Sequence, residues 1–166
     1  MLIKALAPIL GEFRGRGTLL DGTEVETRFS GQEVIPNLCY GLRLQLLSCE
    51  TSDHVVNSYI VASIDRRNDA LELQLIDTKE SFHDLRRSET AQADGSSIYM
   101  FQAKRSSGGL YKIEFSISSA AEFDMTVIVT SAGESSQRKL WTAHFERVQA
   151  TGVGGSTDSS QSPIAA

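Results

Sequence analysis

Little in these 166 residues belongs to the machinery of familiar enzymes. There is no H-E-x-x-H, no C-x-x-C, no G-x-S-x-G, no phosphate-binding loop and no G-x-G-x-x-G behind a strand. Each of those motifs sets a metal ligand, a nucleophile or a backbone cradle at fixed spacing, so the easiest catalytic assignments fall away, although catalysis itself does not. The three histidines, His54, His83 and His144, stand far apart and show no zinc spacing. Cysteine is scarce as well. Cys39 and Cys49 make no disulfide framework. Ten positions along one extended strand would hold them about 33 Å apart, far beyond bridging distance. Reduced thiols and a cytoplasmic location are the expectation.

Basic charge is also in deficit. The formal net charge is −5, which argues against a general nucleic-acid binder, since such a protein needs a basic face to displace counterions. The pairs Arg66–Arg67, Arg86–Arg87 and Arg138–Lys139 each fall near an expected loop or strand end, where solvated charge is ordinary. No apolar run approaches the roughly 20 residues of a membrane span. The opening MLIKALAPILGEF is short, interrupted by Pro8 and without a small-residue cleavage site; it reads as a helical cap and not as a signal peptide.

What the chain has in abundance is alternation. Val25, Thr27 and Phe29 alternate with charged residues, as do Leu42, Leu44 and Leu46 with Arg43 and Gln45. The pattern returns in Leu71, Leu73 and Leu75, and again in Tyr111, Ile113, Phe115 and Ile117. One dry face and one wet face is the mark of half-buried antiparallel strands. Turn signals separate the runs: DG at 21–22, expected to make a tight hairpin, then RRND, ADGS, SSGG and SAGESS. Strands are expected near 12–20, 23–34, 39–49, 55–65, 70–77, 80–91, 97–104, 110–117, 122–131 and 138–148. A meander of about ten strands closes on itself to hide its edges. The predicted fold is therefore all-β, a single antiparallel up-and-down β-barrel spanning residues 1–150, with a short N-terminal helical cap. Residues 151–166 are small, polar and glycine-rich, and are expected to form a disordered tail.

Gly15 and Gly17 interrupt the first strand on the face shared by Phe13 and Leu19. Missing side chains there let a strand coil and let a neighbouring backbone or a ligand come close. With Leu10, Gly11 and Phe13 before them and Gly22 after, they resemble the opening signature of the calycin superfamily, in which a short helix leads into a leucine-glycine-x-tryptophan-x-glycine-x-glycine strand. Phe13 departs from that signature: the aromatic plug survives and the indole donor does not. The resemblance covers about the first 22 residues. The strand count is similar to the fatty-acid-binding-protein and nitrobindin branch, and differs from the eight strands of secreted lipocalins.

A barrel of ten strands is wider than its own side chains readily fill, so its interior can hold one small ligand. The expected inward residues are Phe29, Leu44, Leu73, Tyr111, Phe115, Phe123 and Met125, apolar with an occasional hydroxyl, and for any one of them plain core packing is a commoner role than ligand contact. With no convergent acid, base or metal set in view, the reading is a non-catalytic binding protein for a small apolar ligand such as a lipid, isoprenoid or pigment. Three alternatives stay open: an isomerase or hydrolase using the same cavity, a packed structural barrel that binds a partner, and a haem barrel. The last follows from the nitrobindin resemblance, which implies a haem-ligating histidine near the end of the chain, where His144 stands. Parity opposes it, because Trp141, Ala143 and Phe145 form the more apolar face and His144 falls on the other. In SFHDLRR, His83 and Asp84 are neighbours in a strand and are expected to point to opposite faces. Nucleic acid and a membrane span are not expected as partners, and a homodimer is one open state of assembly.

Overall fold

The computed structural model describes residues 2–77 and 81–149, without the side chains of Leu2, Ser81, His83 and Glu89. The expected tail and the expected separation of His83 from Asp84 therefore lie outside the described residues. A 3₁₀ helix, Leu2–Ile9, is followed by ten strands: β1 Gly11–Leu19, β2 Glu24–Ile35, β3 Cys39–Ser48, β4 His54–Asp65 and β5 Ala70–Asp77. The second half comprises β6 Ser81–Ala93, β7 Ser96–Lys104, β8 Leu110–Ile117, β9 Glu122–Thr130 and β10 Gln137–Arg147. Every strand pairs antiparallel with its sequence neighbours, and β1 pairs with β10 to close the barrel. The limits agree with the expected strands to within about two residues, because alternation and turn chemistry are local signals.

Two details differ from expectation. Asp21-Gly22 does not make a two-residue hairpin: the Leu19 N–H donates to the Thr23 carbonyl and the Gly22 N–H to the Leu19 carbonyl, giving a wider loop. The two-residue turn belongs instead to Asp94-Gly95, where both residues take positive φ (49° and 80°) as a type I′ turn requires. Arg86 and Arg87, expected near a strand end, stand within β6, with the Arg86 Nε 3.4 Å from Glu72 on β5.

The glycines of β1 have a steric explanation. A Cβ on Gly15 would land on the carbonyl oxygen of His144, and one on Gly17 would press against the Thr142 carbonyl at 2.8 Å. The backbone of β10 occupies the space these side chains would need, and Thr27 Oγ1 reaches the same His144 carbonyl at 3.2 Å. Barrel closure thus depends on two residues that contribute nothing to packing themselves.

One end of the barrel is sealed. Ile3, Leu6 and Ile9 of the helix are fully buried. Beneath them Phe13, Phe29, Phe123 and Phe145 form a contiguous aromatic plug, with ring centroids 4.8 to 6.1 Å apart. Arg147 locks the helix onto this plug. Its guanidinium lies 4.5 Å from the Phe13 ring centroid and donates to the carbonyls of Pro8, Leu10 and Ala120 at 2.7 to 2.8 Å.

Candidate functional site

With the helix end closed, open space is found at the other end, where odd-numbered strands finish and even-numbered strands begin. A cavity of about 470 Å³ lies there, bordered by residues of the β1–β2 loop, β4, β5, the β7–β8 turn, β8 and β10. Its size is within the range of sites that hold small organic molecules. The walls are chiefly apolar: Leu19, Val55, Val56, Leu140 and Trp141, with the exposed Leu20 at the rim. Tyr111 brings a ring and a hydroxyl, its ring resting on Phe82 at 4.6 Å between centroids.

Charged groups stand among these walls. Asp77 is the last residue of β5 and Arg105 follows the end of β7; both are half-buried and border the cavity. Ser58, itself buried on β4, donates its hydroxyl to Asp77 Oδ2 at 2.5 Å and so fixes the carboxylate at the mouth. Arg105 sits in a turn held by its own backbone, its N–H donating to the Gly109 carbonyl and its carbonyl accepting from Gly108. Asp21 is exposed at the rim, and the Thr23 N–H that it accepts holds its carboxyl below the ordinary range.

All seven residues expected to face inward are buried. Their depth sorts them. Phe29 and Phe123 belong to the aromatic plug, Phe115 packs edge-on against Phe101 at 6.1 Å, and Leu44, Leu73 and Met125 lie in the same continuous core. Of the seven, Tyr111 is the one that borders the mouth cavity. Asp77, Arg105, Ser58 and the cavity-facing role of Trp141 were not picked out from the sequence. The signal was there, since Asp77 continues the inward series Leu71, Leu73, Leu75, and Arg105 continues Phe101, Ala103. Extending the alternation by one step puts both charges inside the barrel mouth.

Neither histidine with a described side chain faces the interior. His54 bonds Gln45 at 2.9 Å on the outer face. His144 lies outside as well, with Nδ1 2.8 Å from Asp124 Oδ1 and Nε2 within 3.6 and 3.9 Å of carboxylate oxygens of Glu146 and Glu122. Its pKa is raised, chiefly by the Asp124 hydrogen bond and further by the three negative charges, against a smaller opposing effect of partial burial. A side chain so placed does not fit the role of an internal haem ligand. A second hollow, about 680 Å³, lies beside the helix, bordered by Ala5, Leu38, Ile64 and Tyr99 together with the polar Asn37, Asp69, Arg87 and Thr90.

No protein-family model and no curated protein matches the sequence. Among solved structures, the crystal structure of Rv2717c from M. tuberculosis superposes with a TM-score of 0.65, covering 89% of this chain and 97% of that one at 12% identity. The protein EF1p2_mFAP2b bound to DFHBI reaches a TM-score of 0.49, covering 89% of this chain and 100% of that one, also at 12% identity. The first likeness concerns the barrel fold alone, and the second is too loose to bear on function. Among the described residues no helix is long and apolar enough to cross a membrane.

Proposed function

We propose that this chain is a calycin-type binding barrel that holds one small, mostly apolar molecule without transforming it. The reading rests on one observation: an apolar cavity of about 470 Å³ at the barrel mouth, walled by Leu19, Val56, Leu140, Trp141 and Tyr111 above a packed core. A site of this kind gains affinity by removing apolar ligand surface from water, and its few polar groups fix orientation. The ligand belongs to the mouth, because the sealed half is filled by the phenylalanine plug. The calycin assignment is supported by the residues from Leu10 to Gly17, by their close fit against β10, and by the capping helix.

Trp141 is the sole tryptophan and borders the cavity, so its emission is a built-in reporter. Wild-type protein should take up a neutral environment-sensitive dye such as N-phenyl-1-naphthylamine, with a saturable rise in dye emission and a matching change at Trp141. Val56→Phe, which fills the cavity, and Leu140→Arg, at its half-buried rim, should both weaken uptake severely. Arg43→Ala, on the exposed outer face of β3, should leave uptake intact. Absence of uptake by folded wild-type protein, or equal behaviour of the two groups of variants, would return the molecule to the class of packed structural barrels.

A further inference from the structure

The mouth cavity draws one residue each from β5 and β8, Asp77 and Tyr111, but two consecutive residues each from β4 and β10: Val55 with Val56, and Leu140 with Trp141. Consecutive residues of a regular strand face opposite sides of a sheet. Both exceptions come from β-bulges. Leu46 and Leu47 of β3 pair with Val56 and His54, so Val55 is an extra residue with no partner on β3. Val127 and Ile128 of β9 pair with Trp141 and Lys139, and Leu140 is the extra residue there. Both extra side chains pack against the core. The two bulged strands stand on opposed sides of the mouth, with β1, β2 and β3 between them one way round and five strands the other.

Each bulge also moves a nitrogen base. Regular pairing continued from Val56 would set His54 opposite Ser48, on the face that Leu44 and Leu46 turn to the core. The bulge sets it opposite Leu47 instead, and its ring bonds Gln45 at 2.9 Å on the outer wall. On β10, regular pairing from Trp141 would set Lys139 opposite the core residue Val129; the bulge sets it opposite Ile128, exposed on the outer wall. Arg138, which the shift brings opposite Val129, does not border the cavity; its Nη2 donates to the Ser131 hydroxyl at 3.1 Å.

We propose that Val55 and Leu140 are specificity-determining residues of the site: they line its two opposed walls with aliphatic side chains where an unbulged register would place His54 and Lys139, so that the ligand segment between them is uncharged and apolar. The inference rests on the binding function proposed above and specifies its ligand. An apolar segment gains from contact with these side chains. An anionic one finds on them neither a donor nor a counter-charge to offset the water it loses. Bulges at barrel rims re-aim side chains in this way and give up regular ladder pairing to do so.

Two dyes with one skeleton test this: neutral N-phenyl-1-naphthylamine and its sulfonated counterpart 8-anilinonaphthalene-1-sulfonate, each titrated by its own emission. Wild-type protein should bind the neutral dye at least about tenfold more tightly. Leu140→Lys keeps the bulge and puts an ammonium on the wall, so the neutral dye should lose about tenfold and the sulfonate gain about tenfold. Val55→Lys should do the same from the opposed wall, and serves as an independent arm if Leu140→Lys does not fold. Lys139→Gln, on the outer wall, should leave both affinities within about twofold, because solvent and salt screen its exposed charge from the cavity. A sulfonate that matches the neutral dye in wild-type protein overturns the inference. So does a ratio of affinities that neither lysine variant shifts, or one that Lys139→Gln shifts as far as they do. If the neutral dye binds and any of these is found, the inference about the bulges fails alone; if the neutral dye does not bind, the cavity reading fails and takes this inference with it.

Discussion

Arg147 is expected to carry more stability than any other exposed-face arginine of this barrel, and replacing it by alanine measures that. Its guanidinium donates to the carbonyls of Pro8, Leu10 and Ala120 and lies 4.5 Å from the Phe13 ring centroid. Hydrogen bonds contribute about 1 kcal/mol each net of water, more when the donor is charged. Half-burial keeps these near the lower figure, and a partly exposed cation–π contact adds about 1 kcal/mol. Arg147→Ala should therefore cost about 2–4 kcal/mol, a large share of the ~5–15 kcal/mol that holds a domain together. For a chain of this size that corresponds to a Tm lower by about 5–15 °C. Arg147→Lys retains the charge over the ring but cannot serve three carbonyls at once, so it should recover about half of the loss. Thermal and urea unfolding give the energies, and hydrogen exchange locates them: in the alanine variant the amides of the helix, Leu2–Ile9, should exchange before those of the strands. A loss below about 1 kcal/mol, or a lysine variant equal to wild type, would refute the clamp.

Further expectations concern closure, core and pH. Gly15→Ala should destabilise by about 3 kcal/mol or more, because the obstacle is the backbone of β10, whereas Gly17→Ala, facing a less severe approach, should cost less; equal and small effects in chemical denaturation would contradict the close-approach account. Phe123→Ala, which removes the ring touching Phe13, Phe29 and Phe145, should cost about 3–5 kcal/mol by the same measurement without shifting dye affinity by more than a few fold, since the plug lies below the cavity. His144 has a folded-state pKa above its unfolded value of about 6.5, so its contribution to stability is complete below that pH and is lost as the pH rises through the folded value. The Tm difference between wild type and His144→Gln should therefore be largest in mildly acidic buffer and shrink on the alkaline side, with an NMR titration of the ring giving the folded pKa directly. A difference that grows with pH would mean the ring acts through its neutral form.

Alternation in segments such as Leu71-Glu72-Leu73-Gln74-Leu75 determined the strands, their dry faces and, through the turn residues between them, their number and order. These are properties of four to ten consecutive residues, and a sequence displays them openly. Barrel closure followed from the strand count, since so long a meander leaves no better way to cover its edges. Tertiary structure alone decided the rest. Arg147 meets Pro8 and Leu10 across almost the whole chain, and no local pattern marks that pairing. Asp77 and Arg105 reach one cavity from strands that are not hydrogen-bonded to each other, so their conjunction exists only once the sheet is curved and shut. Which half of the barrel fills and which stays open was likewise settled by volume. Four phenylalanines and the helix occupy the sealed end, while the side chains of the mouth, Trp141 and Tyr111 among them, border open space, a result of packing in three dimensions that a one-dimensional alternation cannot encode.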